Sequence, residues 1–164
     1  MELSRLDSFI RRLLAQRACL DLAVDLIGGL DGPVLELGLG NGRTFDHLRE
    51  RLPNREIFVF ERRPDAHPDC LPGAAHLIVG DLEVTLAAAG ARLPTPAAMA
   101  HSDIGTGDAE RNARIAASLA RTLPPLLASG AVVVSDQALA TPALEPLPLP
   151  GGIEPGRYFL YRRR

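Results

Sequence analysis

Short apolar runs alternate with stretches of helical spacing along most of this chain. That alternation limits the possible folds more than any other feature. "PVLEL" (Pro33–Leu37), "IFVFE" (Ile57–Glu61), "HLIVGD" (His76–Asp81), "PAAMAHSD" (Pro96–Asp103) and "AVVVSD" (Ala131–Asp136) read as five strands. Their near-continuous apolarity is what a strand covered on both faces requires. Between them, Phe45, Leu48 and Leu52 fall on one helical face before Pro53, and Leu82–Ala91 reads as a second helix. Asp108–Leu123 reads as a third, ended by Pro124 and Pro125. The segment "RRPDAHPDCLPG" carries three prolines and is expected to be a loop or one short turn. Strands alternating with helices predict an α/β fold: a three-layer, doubly wound, mostly parallel sheet.

The two ends of the chain depart from this rhythm. From Leu6 to Ile27, apolar residues recur at Leu6, Phe9, Ile10, Leu13 and Leu14, then at Leu20, Val24 and Ile27. The spacing predicts an amphipathic helix, broken near Ala18 and stopped by "GGLDG". Residues 140–156 are proline-rich, leaving "LEPLPL" as a poor edge strand and "RYFLYR" as a better one. The carboxyl end is therefore expected to close the sheet as an antiparallel hairpin. One domain is expected over residues 1–164, a length at which about 70% of the unfolded surface can be buried. It divides into a helical segment (1–30), a strand–helix core (33–139) and carboxyl-terminal edge strands (140–164). The first helix has more apolar positions than one sheet face needs, so a homo-oligomer is expected.

Composition excludes several classes of function. No charge-poor apolar run is long enough to span a membrane. Acids within "MELSRLDSFIRRLL" argue against a secretory signal. Cys19 and Cys70 fit neither a metal knuckle nor a disulfide framework, and two reduced thiols point to a cytoplasmic protein. The formal net charge is −2, so a nucleic-acid partner is disfavoured. All 18 basic residues other than histidine are arginine. Without lysine there is no P-loop cation, no Schiff base and no lysine general base.

The chemistry is carried by "LELGLGNGRTFDHL" (Leu35–Leu48), where Gly38, Gly40 and Gly42 separate the first strand from its helix. The dinucleotide fingerprint G-x-G-x-x-G would need glycine where Arg43 stands. An acid lies at or near the end of each of four strands: Glu36, Glu61, Asp81 and Asp103. In a parallel sheet these share one edge, the edge where such folds bind ligands. Four carboxylates and no lysine would repel a pyrophosphate; they suit a ligand bearing cationic and hydroxyl groups. Asp81, just ahead of a helix, also reads as a helix cap.

From about Val34 to Arg162 the chain resembles the class I S-adenosyl-L-methionine-dependent methyltransferases, with their Rossmann-like fold. "LELGLGNG" is similar to that family's first motif. The "E" of "VFERR", the "GD" of "VGDLE" and the "HSD" after the fourth strand follow in order. The resemblance implies S-adenosyl-L-methionine as cofactor and S-adenosyl-L-homocysteine as product, with the core as their binding site. Gly38, Gly40, Asn41 and Gly42 would form the turn beneath the methionine and ribose, and Glu36 would help hold the amino-acid end. Glu61 would accept from both ribose hydroxyls and, at an open strand end, would do little for the core. Gly80 and Asp81 would lie at the adenine, with Asp81 accepting from its amino group, and Arg62 and Leu82 would flank the ring. Ser102 would complete the cofactor set.

His101 and Asp103 then fall at the expected methyl-transfer position, where either could deprotonate a hydroxyl. No N-P-P-Y-type motif follows the fourth strand, which disfavours an amino-methylating nucleic-acid enzyme. The acceptor is expected to be a small molecule, with a hydroxyl as one option. Asp136 and Gln137 resemble the Asp-Asn pair of metal-dependent O-methyltransferases and, with Asp103, would offer oxygen ligands to Mg²⁺. Gln137 is longer than asparagine, and no metal is expected. Two alternatives stand beside this reading: a non-catalytic cofactor-binding or interaction protein, and a Rossmann-type NAD(P)-dependent oxidoreductase.

Overall fold

A computed structural model describes residues 3–164. The chain runs α1 (Arg5–Leu26), β1 (Val34–Leu37), α2 (Arg43–Arg51), β2 (Ile57–Glu61), β3 (Leu77–Val79), α3 (Leu82–Ala87), β4 (Ala97–Ser102), α4 (Ala109–Thr122), β5 (Leu127–Ser135), β6 (Leu144–Pro146) and β7 (Phe159–Arg163). One seven-stranded sheet has the order β3-β2-β1-β4-β5-β7-β6. The first five strands are parallel, and β7 and β6 close the edge in antiparallel pairing. This is the doubly wound sheet that the alternation predicts, with the antiparallel edge expected of the carboxyl end. The proline-rich stretch between β2 and β3 holds only two single 3₁₀ turns.

Alternate residues of each strand feed two apolar layers. Val34, Val132 and Val134 face α1 and α2, where they meet Ala15, Cys19, Leu20 and Leu48. Leu35, Leu37 and Val133 face α3 and α4, where they meet Leu86 and Leu119. Burial of a Leu or Val side chain contributes about 1.5–3 kcal/mol.

Three local expectations are corrected. α1 is continuous through Ala18, because its buried face is built from Ala15, Gln16, Cys19, Leu20, Ala23 and Val24, and nothing in it disfavours helix. The larger residues Leu6, Phe9, Ile10 and Leu14 are instead exposed. α3 ends at Ala87 and a 3₁₀ turn follows at Ala89–Ala91. β5 begins four residues before Ala131, with a register shift against β4 between Ala97 and Met99. No helix among the described residues is long and apolar enough to cross a membrane.

Candidate functional site

The carboxyl ends of β1, β2, β3 and β4 form one edge, and the turn after β1 lies across it. Gly38 and Gly40 have φ of +89° and +54°. A side chain on Gly38 would meet Ile104 at 2.6 Å, whereas at Gly40 there is open space. Glu61 pins this turn. Its Oε2 accepts from the Leu39 amide at 2.8 Å and the Gly40 amide at 3.3 Å, and its Oε1 accepts from the Arg63 amide at 2.9 Å. Partial burial works to raise the Glu61 pKa, but these backbone donors outweigh it and hold the carboxyl below its ordinary value.

A cleft of about 550 Å³ opens beside the turn. One wall carries Gly38, Gly40, Glu61, Arg62, Gly80, Asp81 and Leu82, and α4 supplies Arg111, Arg114 and Ile115 opposite. Asp81 caps α3, accepting through Oδ1 from the amides of Glu83 at 3.0 Å and Val84 at 3.4 Å. Its capping role is thus real, and its other oxygen makes no bond to the protein among the described residues.

On the far side of the turn, α1 roofs a second chamber of about 220 Å³, lined by Phe9, Arg12, Leu13, Gln16, Asn41, Arg43 and Thr44. Gly38, Gly40 and Asp103 line both spaces. A depression of about 540 Å³ also lies at the opposite end of the sheet, around Gly32 and Pro53, away from the edge where parallel sheets bind ligands.

Asp103 stands where the two spaces meet and is held by α1. Arg12 donates to its Oδ1, and the Gln16 amide donates to its Oδ2. The same amide donates to the Tyr158 hydroxyl at 2.6 Å. Burial, with the nearby Asp103 carboxylate, pushes the Tyr158 phenol well above its ordinary range. Asp136 lies on the neighbouring strand end. Its Oδ2 accepts from the Gly105 amide at 2.8 Å and from Gln137 at 3.2 Å, and its Oδ1 is buried without a partner. Burial and then the charge of Asp103 raise its pKa. Of the residues read as an Mg²⁺ trio, Asp103 is thus bonded to Arg12 and Gln16, and Asp136 through Oδ2 to a backbone amide and Gln137; no cluster of three or more His, Cys, Asp or Glu side chains gathers among the described residues.

Four residues proposed from the sequence line neither space. Glu36 is 1% exposed, and His101 is fully enclosed. They are register partners on β1 and β4, and His101 Nδ1 lies 3.0 Å from both Glu36 oxygens. Burial lowers the His101 pKa, but the charge and hydrogen bond of Glu36, together with the charges of Asp103 and Asp136, outweigh it, and the net shift is upward. The His101 ring lines neither of these two spaces, so it does not face the cleft from which a substrate proton would come. Ser102 is buried with an unpartnered hydroxyl. Gly42, at φ +82°, packs against the loop after β2, where a Cβ would lie 2.6 Å from Cys70 Cβ and 3.1 Å from Ala66 Cβ. That glycine serves packing.

Arg12, Gln16 and Tyr158 escaped the sequence reading. Their only sequence signal is the four-residue spacing of Arg12 and Gln16, which puts them on one helix face.

A family model described as S-adenosyl-L-methionine methyltransferase matches residues 3–163. An S-adenosyl-L-methionine methyltransferase from Silicibacter pomeroyi DSS-3 is 48% identical, with a TM-score of 0.93 over 99% of this chain and 100% of that one. TrmN from Thermus thermophilus is 17% identical with a TM-score of 0.61, over 93% of this chain and 49% of that one. CalS10, an amino pentose methyltransferase from Micromonospora echinaspora, is 17% identical with a TM-score of 0.52, over 92% and 66%. The last two likenesses concern the fold alone. Comparison with curated proteins gives no match. With nearly its whole length matched, the chain belongs to the S-adenosyl-L-methionine methyltransferase family.

Proposed function

We propose that this methyltransferase acts on a small-molecule acceptor, with a hydroxyl oxygen as the methylated atom. We also propose which residues hold the cofactor. Its adenosine end belongs in the larger cleft, between Leu82 and Arg62 on one side and Ile115 on the other. Glu61 faces the ribose there, and the unbonded oxygen of Asp81 faces the adenine amino group. Its amino-acid end belongs in the smaller chamber beneath Phe9, Arg12 and Leu13. When bound, the cofactor supplies an electrophilic methyl group on a sulfonium.

The observation that carries this reading is that the two spaces share Gly38, Gly40 and Asp103. A ligand with two polar ends and a cationic centre suits two chambers joined at a carboxylate. The apolar and arginine-lined parts of the site stay available for the ends of the ligand. Asp103 is the group beside the junction that can accept a proton from the attacking hydroxyl. Arg12 and Gln16 hold it in place, and such positioning supplies much of the rate of an in-line transfer. Burial of Asp136 beside it keeps a second carboxyl of raised pKa on the same edge.

Methyl-labelled S-adenosyl-L-methionine incubated with fractionated cell extract tests the acceptor class. Label should appear in the fraction that passes a small-pore filter. Label recovered only in RNA or in protein would overturn the small-molecule assignment.

A further inference from the structure

Glu36 touches neither cavity, yet one of its partners does. The Thr44 hydroxyl donates to Glu36 Oε1 at 2.5 Å, and Thr44, in the first turn of α2, lines the chamber beneath α1. From the other side His101 Nδ1 meets both Glu36 oxygens at 3.0 Å. His101 is fully buried, and Glu36 is 1% exposed. A carboxylate taken out of water without partners would be costly. Histidine and threonine together meet that need.

The consequence lies in the threonine. A hydroxyl has one proton and two lone pairs. With its proton given to Glu36, Thr44 can only accept on its chamber side. An acceptor at that point suits an ammonium and disfavours a carboxylate, and the amino-acid end of the cofactor carries one of each. We propose that His101 is a positioning residue for cofactor recognition: bonded to Glu36, it fixes the carboxylate that takes the Thr44 proton, so that Thr44 presents lone pairs to the ammonium of the cofactor. This rests on the assignment of the amino-acid end to the smaller chamber. Glu36 then selects the ammonium without touching it, which replaces the direct contact expected from the sequence.

Calorimetric titration with four ligands tests this: S-adenosyl-L-homocysteine, its decarboxylated analogue, its deaminated analogue, and 5′-methylthioadenosine, which lacks the amino-acid end. Thr44→Val and His101→Gln should each weaken the first two by roughly tenfold, the size of one hydrogen bond to a charged group, and leave the last two little changed. Thr44→Ser should behave as wild type. Equal losses across all four ligands, or losses that follow the carboxylate, would overturn the inference. Should His101→Gln fail to fold, Thr44→Val still reads the ammonium preference. The imidazole nitrogen signals of the wild-type protein then read His101: Nδ1 must carry a proton at neutral pH, and a bare Nδ1 overturns the proposal. Wild-type protein that binds none of the four would sink the chamber assignment and this inference together. Normal wild-type binding with no ammonium preference would sink this inference alone.

Discussion

Glu61 does two things with one carboxylate. It accepts three backbone amides of the turns after β1 and β2, and it faces the larger cleft. The expectation that an acid at an open strand end does little for the fold is therefore replaced. Glu61→Gln keeps the shape but turns an NH₂ group toward amides that need an acceptor. Cofactor affinity should fall roughly tenfold to a hundredfold, since hydrogen bonds to charged groups are worth about 1.5–3 kcal/mol and each decade is about 1.4 kcal/mol. The melting temperature should fall as well. Calorimetry beside a thermal melt checks both, and unchanged affinity in a folded variant would remove Glu61 from the site.

His101 gives the residue scale its pH dependence. It faces Glu36 on β1, with Asp103, Asp136 and Tyr158 around it. Its folded-state pKa is raised, so its contribution to stability is fully present below the unfolded histidine value of about 6.5. That contribution is lost as pH rises through the folded value. Wild type should melt progressively lower on the alkaline side, and His101→Gln should lose most of that slope. Parallel melting profiles for the two proteins would show that the pair does not titrate with folding.

At the scale of elements, the glycine turn separates binding from packing. Gly40 and Gly42 both have positive φ, a conformation that costs an L-residue roughly 1–2 kcal/mol. At Gly40 an added methyl meets no protein atom and points into open space. At Gly42 it meets Cys70 Cβ at 2.6 Å and the Cys70 carbonyl oxygen at 2.7 Å. Gly42→Ala should thus lower the melting temperature clearly more than Gly40→Ala, while Gly40→Ala should cost more cofactor affinity. Thermal melts and titrations of the two variants check the contrast; the reverse order would mean that the turn faces its ligand through Gly42. The strands were legible in the sequence because each is an apolar run bounded by glycine, proline or acid. α1 was only half legible. Counting large apolar residues found Leu20, Val24 and Ile27, which are buried, but also Leu6, Phe9, Ile10 and Leu14, which are exposed; the rest of the face that meets the sheet is Ala15, Gln16, Cys19 and Ala23. Small residues let the helix lie close to the sheet, and they leave no hydrophobic signature.

At the scale of the whole molecule, the site is assembled from distant parts of the chain. Strand-end acids and glycines were legible because a parallel sheet brings consecutive strand ends to one edge. Arg12, Gln16 and Tyr158 were not, because Arg12 lies 91 residues from Asp103 and Gln16 lies 142 from Tyr158. No local pattern encodes such a meeting; it follows from α1 lying against β5 on the face that also receives the segment before β7. His101 shows the converse. Its place at the end of a strand suggested a reacting group, but alternation turned its ring inward toward Glu36. The central claim is that the cofactor lies across the glycine turn with its two ends in two joined chambers. A crystal structure of the protein with S-adenosyl-L-homocysteine tests it most directly. The account predicts adenine against Leu82, the ribose at Glu61 and the amino-acid end beneath α1 near Thr44. Ligand density reversed along that path, or lying away from the carboxyl edge of the sheet, would contradict it.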